Sequence, residues 1–115
     1  MEINNAVTAL GALAQETRLQ IFRLLVQAGP EGMSVGKIAE HLGTEANGRL
    51  SFHLKELVNA GLANASQSGR FIYYSASYPN INQLLNYLTE HCCGGTPCGE
   101  TIAACTPEPS PPAHP

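Results

Sequence analysis

The chain has 115 residues and a formal net charge of −3, and this length supports one compact domain. No apolar run approaches the roughly 20 residues of a membrane span and no signal-peptide pattern opens the chain, so we expect a cytoplasmic protein without a membrane partner. The acidic balance argues against strong non-specific affinity for nucleic acid. Any nucleic-acid role must therefore rest on sequence pattern.

Four helices are predicted in the first half of the chain from apolar residues at helical spacing. Ser34 and Thr44 are plausible N-caps, and Gly29-Pro30 and Gly43 are typical helix stops. The predicted ranges are Ile3–Ala14, Glu16–Ala28, Val35–Leu42 and Glu45–Ala60. The last two helices meet at a Gly-Thr turn, which indicates a helix-turn-helix.

The next segment has the pattern of a β-hairpin. Residues 62–65 and 71–75 flank a Ser68-Gly69 tip, and the second run is rich in aromatic and β-branched residues. A last helix is predicted over Asn80–His91. The order α-α-α-α-β-β-α predicts a mostly α fold with a β-hairpin wing, a winged helix-turn-helix with an extra helix at each end.

Composition changes after residue 93. The segment 94–115 is dense in Pro, Gly, Thr and Ser, and five prolines lie between positions 107 and 115. Such a segment cannot bury enough apolar surface to offset its ordering entropy. We therefore predict a DNA-binding and dimerisation domain over residues 1–93 and a flexible, cysteine-containing tail over residues 94–115.

The first and last predicted helices each carry an apolar stripe. These stripes could simply cover the core, or they could form the interface of a homodimer, which would present two DNA readers to a palindromic site. We prefer the dimer. The predicted interface residues are Ile3, Val7, Leu10, Leu84, Leu85 and Leu88.

The fourth helix carries polar side chains suited to the DNA major groove. Arg and Asn pair bidentately with guanine and adenine, and Ser and Lys suit phosphates or base edges. The predicted contacts are Asn47, Arg49, Ser51, Phe52, His53 and Lys55, with Arg70 at the wing tip reaching the backbone or minor groove. The competing interpretation is a set of ordinary solvated polar residues.

All four cysteines follow the predicted last helix: Cys92, Cys93, Cys98 and Cys105. In a reducing compartment such a cluster indicates metal binding or redox chemistry before structural disulfides. Thiolates select soft ions. The flexible Gly94-Gly95 and the turn-forming Pro97 would allow Cys98 to return towards Cys92 and Cys93.

Three segments resemble the ArsR/SmtB family of metal-responsive repressors. Glu16–Leu25 resembles its second-helix signature, Leu50–Leu57 with Ala60-Gly61-Leu62 resembles its recognition helix, and Gly69–Tyr74 resembles its wing. The resemblance covers roughly residues 5–93. It implies a homodimeric repressor that leaves its double-stranded operator DNA when it binds a thiophilic or divalent ion.

Two of the family's sensor sites are missing from this sequence. Residues 33–37 lack the Cys-x-Cys pair of many arsenic and cadmium sensors, and the last helix has Asn80, Asn82, Gln83 and Asn86 where zinc sensors have Asp and His. The cysteine cluster instead resembles that of divergent arsenite sensors, with a vicinal pair and a third downstream thiol.

The resemblance thus implies arsenite, or the similar antimonite, as inducer, held by Cys92, Cys93 and Cys98. Cys105 is the alternative third ligand or a fourth. A cadmium, methylarsenite or thiol-redox response is the alternative function. Residues 86–91 lack the basic anion loop that a thiol-dependent reductase needs ahead of its nucleophile, so we expect no enzyme activity and no catalytic cofactor.

Overall fold

The structure is a computed structural model that describes residues 1–95. In that range the elements are α1 (Ile3–Leu13), α2 (Glu16–Ala28), β1 (Met33–Ser34), α3 (Val35–Leu42), α4 (Gly48–Asn59), β2 (Ala63–Ser68), β3 (Phe71–Ala76), α5 (Tyr78–Thr89) and a 3₁₀ turn (Cys92–Gly95). This order confirms the predicted winged helix-turn-helix. None of the described helices is long and apolar enough to cross a bilayer.

Local capping chemistry fixes both ends of α3. The Ser34 hydroxyl accepts a hydrogen bond from the Lys37 backbone N–H at 3.3 Å. At the other end Gly43 has a φ of 69°, and its N–H donates to the carbonyls of Ala39 and Glu40. This left-handed conformation is almost free of steric cost for glycine. The helix therefore begins and ends where its cap residues predict.

The start of α4 corrects the sequence-based prediction. The helix begins at Gly48 instead of Glu45, and Asn47 takes the place of Thr44 as N-cap. The Asn47 Oδ1 atom accepts a hydrogen bond from the Leu50 N–H at 3.1 Å. Asn ranks above Thr as an N-cap, so the stronger cap sets the boundary and residues 44–46 remain in the turn.

The predicted hairpin is present, with a third strand that the sequence did not indicate. Strands β2 and β3 pair antiparallel with Ser68 opposite Phe71, so Gly69 and Arg70 form the tip. Strand β1 pairs with the other edge of β3, giving the order β1-β3-β2. A strand of two residues is too short to show an alternating pattern, which explains why it was missed.

Gly32 makes the pairing of β1 possible. Its φ is +78°, and a Cβ built on it would collide with the carbonyl of Tyr74 in β3. Met33 then lies opposite Tyr74 in the ladder. The chain between α2 and α3 can therefore approach the sheet only with glycine at this position.

The core lies between α2, α3, α4 and the strand that follows. Six fully buried side chains form its centre: Ile21, Leu25, Ile38, Leu54, Leu57 and Leu62. Helix α1 contributes small residues instead, Ala6, Ala9 and Ala12. Because alanines occupy its inner face, Ile3, Val7 and Leu10 of α1 lie outside the core, whereas Leu13 is half-buried against it.

Helix α5 spans Tyr78–Thr89 rather than the predicted Asn80–His91. Pro79 lies in its first turn, where the missing N–H costs nothing, and the Tyr78 hydroxyl donates to the Val26 carbonyl at 2.8 Å. The chain becomes extended at Glu90. The vicinal cysteines are therefore outside the helix, in the 3₁₀ turn that follows it.

Candidate nucleic-acid interface and thiol site

Helix α4 has one buried and one exposed face. Successive residues turn by about 100°, which groups Leu50, His53, Leu54 and Leu57 on the buried side. The residues centred on the opposite side are exposed: Gly48, Phe52, Lys55 and Asn59. Arg49 and Ser51 are also exposed and flank this stripe. Of the predicted DNA contacts, α4 thus presents Arg49, Ser51, Phe52 and Lys55 to solvent.

Asn47 lies at the exposed N-terminal end of α4. Its Oδ1 atom is engaged in the cap, whereas its Nδ2 group is a donor at the surface of the helix start. The residue therefore orients the helix in addition to any contact with DNA. The exposed Arg70 stands at the hairpin tip, and its neighbour Phe71 is 61% exposed.

His53 differs from the other predicted contacts because its side chain is buried, with 9% exposure. Its Nδ1 atom lies 3.1 Å from Nη1 of Arg18. The same guanidinium donates through Nε to the Ala12 carbonyl at 2.7 Å. This geometry makes His53 part of a connection between α1, α2 and α4 and leaves little of it accessible to DNA.

Arg18 was missed in the sequence-based assignment of functional residues. A usable signal was present, because Arg18, Ile21 and Leu25 follow one another at i, i+3 and i+7 and so share one face of α2. Ile21 and Leu25 are fully buried. A cation on that face requires polar partners inside the domain, and the Ala12 carbonyl and His53 supply them.

The pKa of His53 is lowered from its ordinary value of 6.5. Burial contributes most, because it removes water from the charged imidazolium; the cations Arg18 and Arg49 act in the same direction. Glu56 opposes them. The neutral imidazole is consequently the form that fits this site at neutral pH.

The predicted dimer residues divide into two groups. Ile3 and Val7 in α1 are 63% and 61% exposed, and Leu10, Leu85 and Leu88 are also exposed. Leu84 is buried and belongs to the core cluster. Since α1 packs against α5, the exposed stripes lie on neighbouring helices. We call Ile3, Val7, Leu10, Leu85 and Leu88 the α1/α5 apolar face.

The vicinal cysteines bring two sulfur atoms together at the surface. The Sγ atoms of Cys92 and Cys93 are 3.7 Å apart, and both residues are exposed. Cys93 has a φ of 57°, within the left-handed region. This kink turns the two side chains towards one another, whereas a regular helix would separate them by about 100°.

The 3.7 Å separation of the two sulfur atoms fits chelation of one soft ion. Two sulfur ligands about 2.3 Å from a shared ion subtend roughly 95–110° when they are about 3.4–3.8 Å apart. Within residues 1–95 there is no group of three or more His, Cys, Asp or Glu residues that could hold a metal. Cys98 and Cys105, the predicted further ligands, lie outside the described residues. Cys93 is disulfide-bonded in the structure.

Known proteins of similar sequence and structure have the same helix-turn-helix architecture. A helix-turn-helix domain family matches residues 13–64, from the last residue of α1 to the start of β2. None of the curated proteins matches the chain. Among solved structures, HlyU from Vibrio cholerae is 32% identical, with 81% of this chain and 99% of that chain covered and a TM-score of 0.62.

Two further structures are similar. A protein described as a possible transcriptional regulator for arsenical resistance is 30% identical over 70% of this chain and 79% of that one, with a TM-score of 0.60. A homodimeric winged helix-turn-helix DNA-binding domain from Mycobacterium bovis, a possible ArsR-family regulator, is 24% identical over 85% and 90% of the two chains, with a TM-score of 0.61. That last likeness shows the fold alone.

The helix-turn-helix match, the hairpin wing and these identities over most of both chains agree with one another. The fold and the family are those of DNA-binding transcription regulators. The chain belongs to the ArsR family of winged-helix transcriptional regulators.

Proposed function

We propose that the protein is a homodimeric repressor that binds its operator when free of inducer and is released by arsenite or antimonite. The inducer is held by Cys92, Cys93 and Cys98, with Cys105 as the alternative third ligand. The observation that carries this proposal is the 3.7 Å separation of the Cys92 and Cys93 Sγ atoms on an exposed turn. The similar protein described as a possible regulator for arsenical resistance adds support.

The chemistry of these residues suits trivalent arsenic. Soft ions select thiolates, and each thiol that binds arsenous acid releases one water. The lone pair of trivalent arsenic favours three sulfur ligands in a pyramid. Cys92 and Cys93 supply two of them, so a third thiol must come from the cysteines that follow. In the reduced protein, in which the Cys93 disulfide is open, the vicinal pair supplies the first two ligands.

The position of the cysteine pair suggests how ion binding is coupled to DNA binding. Cys92 and Cys93 lie in the turn that begins three residues after the end of α5, and α5 packs against α1. Both helices contribute to the α1/α5 apolar face, the proposed dimer interface. Gathering the thiolates reshapes the end of α5 and so changes the spacing of the two recognition helices in the dimer. A coupling of about 1–3 kcal/mol weakens DNA binding roughly 5–150-fold.

Arsenite titration of a protein–operator complex tests this function. Fluorescence anisotropy should show release of labelled DNA from the wild-type protein. Cys92→Ser and Cys93→Ser should bind DNA normally but need at least about tenfold more arsenite for release. The reductant must be a phosphine, because dithiol reductants chelate arsenite themselves. X-ray absorption of the loaded protein should count three sulfur neighbours around arsenic.

Cys105→Ser is the matched thiol control and should respond as the wild type does. If Cys105→Ser abolishes the response and Cys98→Ser does not, Cys105 is the third ligand. Release curves that are the same for the wild type, Cys92→Ser and Cys93→Ser would overturn the arsenite site.

A redox-responsive repressor is the second candidate, and the 3.7 Å approach of the exposed Cys92 and Cys93 sulfur atoms favours it. Accessible neighbouring thiols oxidise readily. Under this alternative, peroxide releases the DNA and arsenite has no effect on the reduced protein. The same anisotropy assay with peroxide in place of arsenite separates the two functions.

A further inference from the structure

Phe52 stands out on the surface of α4. It is 54% exposed, and it is the one large apolar side chain among the exposed residues of this helix. Its exposed neighbours within one turn are Gly48, Arg49, Ser51 and Lys55. The core does not account for this phenylalanine, because the buried face of α4 is already filled by leucines and His53.

Phe52 is located where a helix enters a DNA groove. It lies in the first half of α4, near the centre of the exposed stripe, and helices of this motif contact base edges with their N-terminal residues. Gly48 precedes it by one turn on the same stripe. Apart from its chain neighbours and the backbone of its own helix, no atom lies within 4 Å of a Cβ built on Gly48, so the surface around the helix start is open.

The phenyl ring rests on the buried framework. Its centroid is 5.8 Å from that of His53, and the two rings are tilted by 58°. His53 is itself held by Arg18. An aromatic side chain has only two χ angles, so little conformational entropy is lost when such a supported ring makes a contact. The Phe52 ring thus contacts a buried side chain and still exposes apolar surface to solvent.

The chemistry of the major groove limits what the Phe52 side chain can recognise. Most base-edge groups there are hydrogen-bond donors or acceptors, and a phenyl ring would leave them unsatisfied. Thymine differs because it presents a C5 methyl group, which apolar side chains contact. We propose that Phe52 is a specificity-determining residue that reads a thymine methyl group in each operator half-site. This inference rests on the proposed operator binding.

Deoxyuridine scanning tests the inference. Wild-type protein without arsenite selects duplexes from a randomised library, and each thymine of a selected duplex is then replaced by deoxyuridine, which lacks only the methyl group. At one thymine per half-site, the replacement should weaken wild-type binding about fourfold, the effect of one buried methyl-sized group. Phe52→Ala should bind the thymine and uracil duplexes equally.

Two control variants make the result specific. Ser51→Ala should keep the wild-type sensitivity to the methyl group, and Phe52→Leu should restore part of it, because leucine also offers an apolar contact. If deoxyuridine has no effect at any position, or if Phe52→Ala keeps the wild-type sensitivity, the methyl-reading role is overturned while DNA binding stands. If the wild-type protein enriches no duplex, operator binding itself fails and the inference falls with it.

Discussion

The imidazole of His53 accepts a hydrogen bond from a cation, and this fixes its protonation state. A guanidinium group only donates, so the Nδ1 atom that lies 3.1 Å from Arg18 must be the acceptor. The proton of the neutral ring is then on Nε2. Protonation of Nδ1 would place a donor against a donor inside a buried contact. This one side chain therefore makes the packing of α4 against α2 sensitive to acid.

Acid should destabilise the protein through His53. Because burial, with help from Arg18 and Arg49, lowers the pKa of His53 below 6.5, the unfolded chain binds this proton more readily than the folded one. The free energy of unfolding should thus fall as pH drops below about 6.5, until the pH is below the folded pKa. His53→Gln should lose this part of the pH dependence, measured by urea unfolding at pH 7.5 and 5.5.

His41 provides the control for that measurement, since it is an exposed histidine on α3. His41→Gln should keep the wild-type difference between the two pH values. If His53→Gln also keeps it, the acid sensitivity of the domain has another source.

At the scale of elements, the helix-turn-helix and the wing carry few cations for a DNA-binding surface. The exposed basic residues on α4 and at the wing tip are Arg49, Lys55 and Arg70. A dimer doubles this set. Each phosphate contact steepens the dependence of log affinity on log salt by about 0.9. Contacts from all three side chains in both protomers would give a slope of roughly −5.

The wing should account for a measurable part of this salt dependence. If Arg70 contacts a phosphate in each half-site, Arg70→Gln should reduce the magnitude of the slope by about 2 in the dimer. Its sequence preference should change little, because phosphate contacts carry no direct sequence information. Anisotropy titrations provide the measurement. They should cover about 50 to 200 mM salt, the range in which such slopes are resolved.

Arg23→Gln is the matched substitution for this experiment, because Arg23 is an exposed arginine on α2. It should leave the slope at the wild-type value. An Arg70→Gln slope equal to that of the wild type would place the wing tip away from the phosphates.

At the scale of the whole molecule, the α1/α5 apolar face holds five of the exposed large apolar side chains in residues 1–95, and the packing of one chain does not cover them. Its five large side chains range from 37% to 63% exposed, while α1 is attached to the core through alanines. Exposed apolar side chains grouped on two neighbouring helices are typical of an interaction site. A twofold partner would bury it and would pair two recognition helices on one duplex.

Val7→Asp should therefore produce a monomer at micromolar concentration and weaken operator binding, without unfolding the protomer, because Val7 is already 61% exposed. Sedimentation velocity gives the oligomeric state and circular dichroism checks the fold. Phe71→Asp, at an equally exposed position in the wing, should stay dimeric. A dimeric Val7→Asp protein would mean that the protomers associate through another face.

Signals within a few residues of each other predicted much of the fold. Ser34 and Gly43 bound α3 as expected, α2 ends at Gly29, and the hairpin forms around residues 69–70. The predicted start of α4 was wrong because two good N-cap residues, Thr44 and Asn47, lie within four positions of each other. Only the position of the Leu50 N–H against Asn47 resolved that choice.

The sequence by itself determined the family, the helical order and the presence of thiols after the last helix, because caps, periodicity and composition act locally along the chain. The tertiary structure decided which face of each element packs into the core and which is exposed. It turned Ala6, Ala9 and Ala12 inwards and left Val7 outside. It also joined Arg18 to His53, 35 positions apart. Such pairings depend on how helices pack in three dimensions, and residue spacing along one chain does not encode that packing directly.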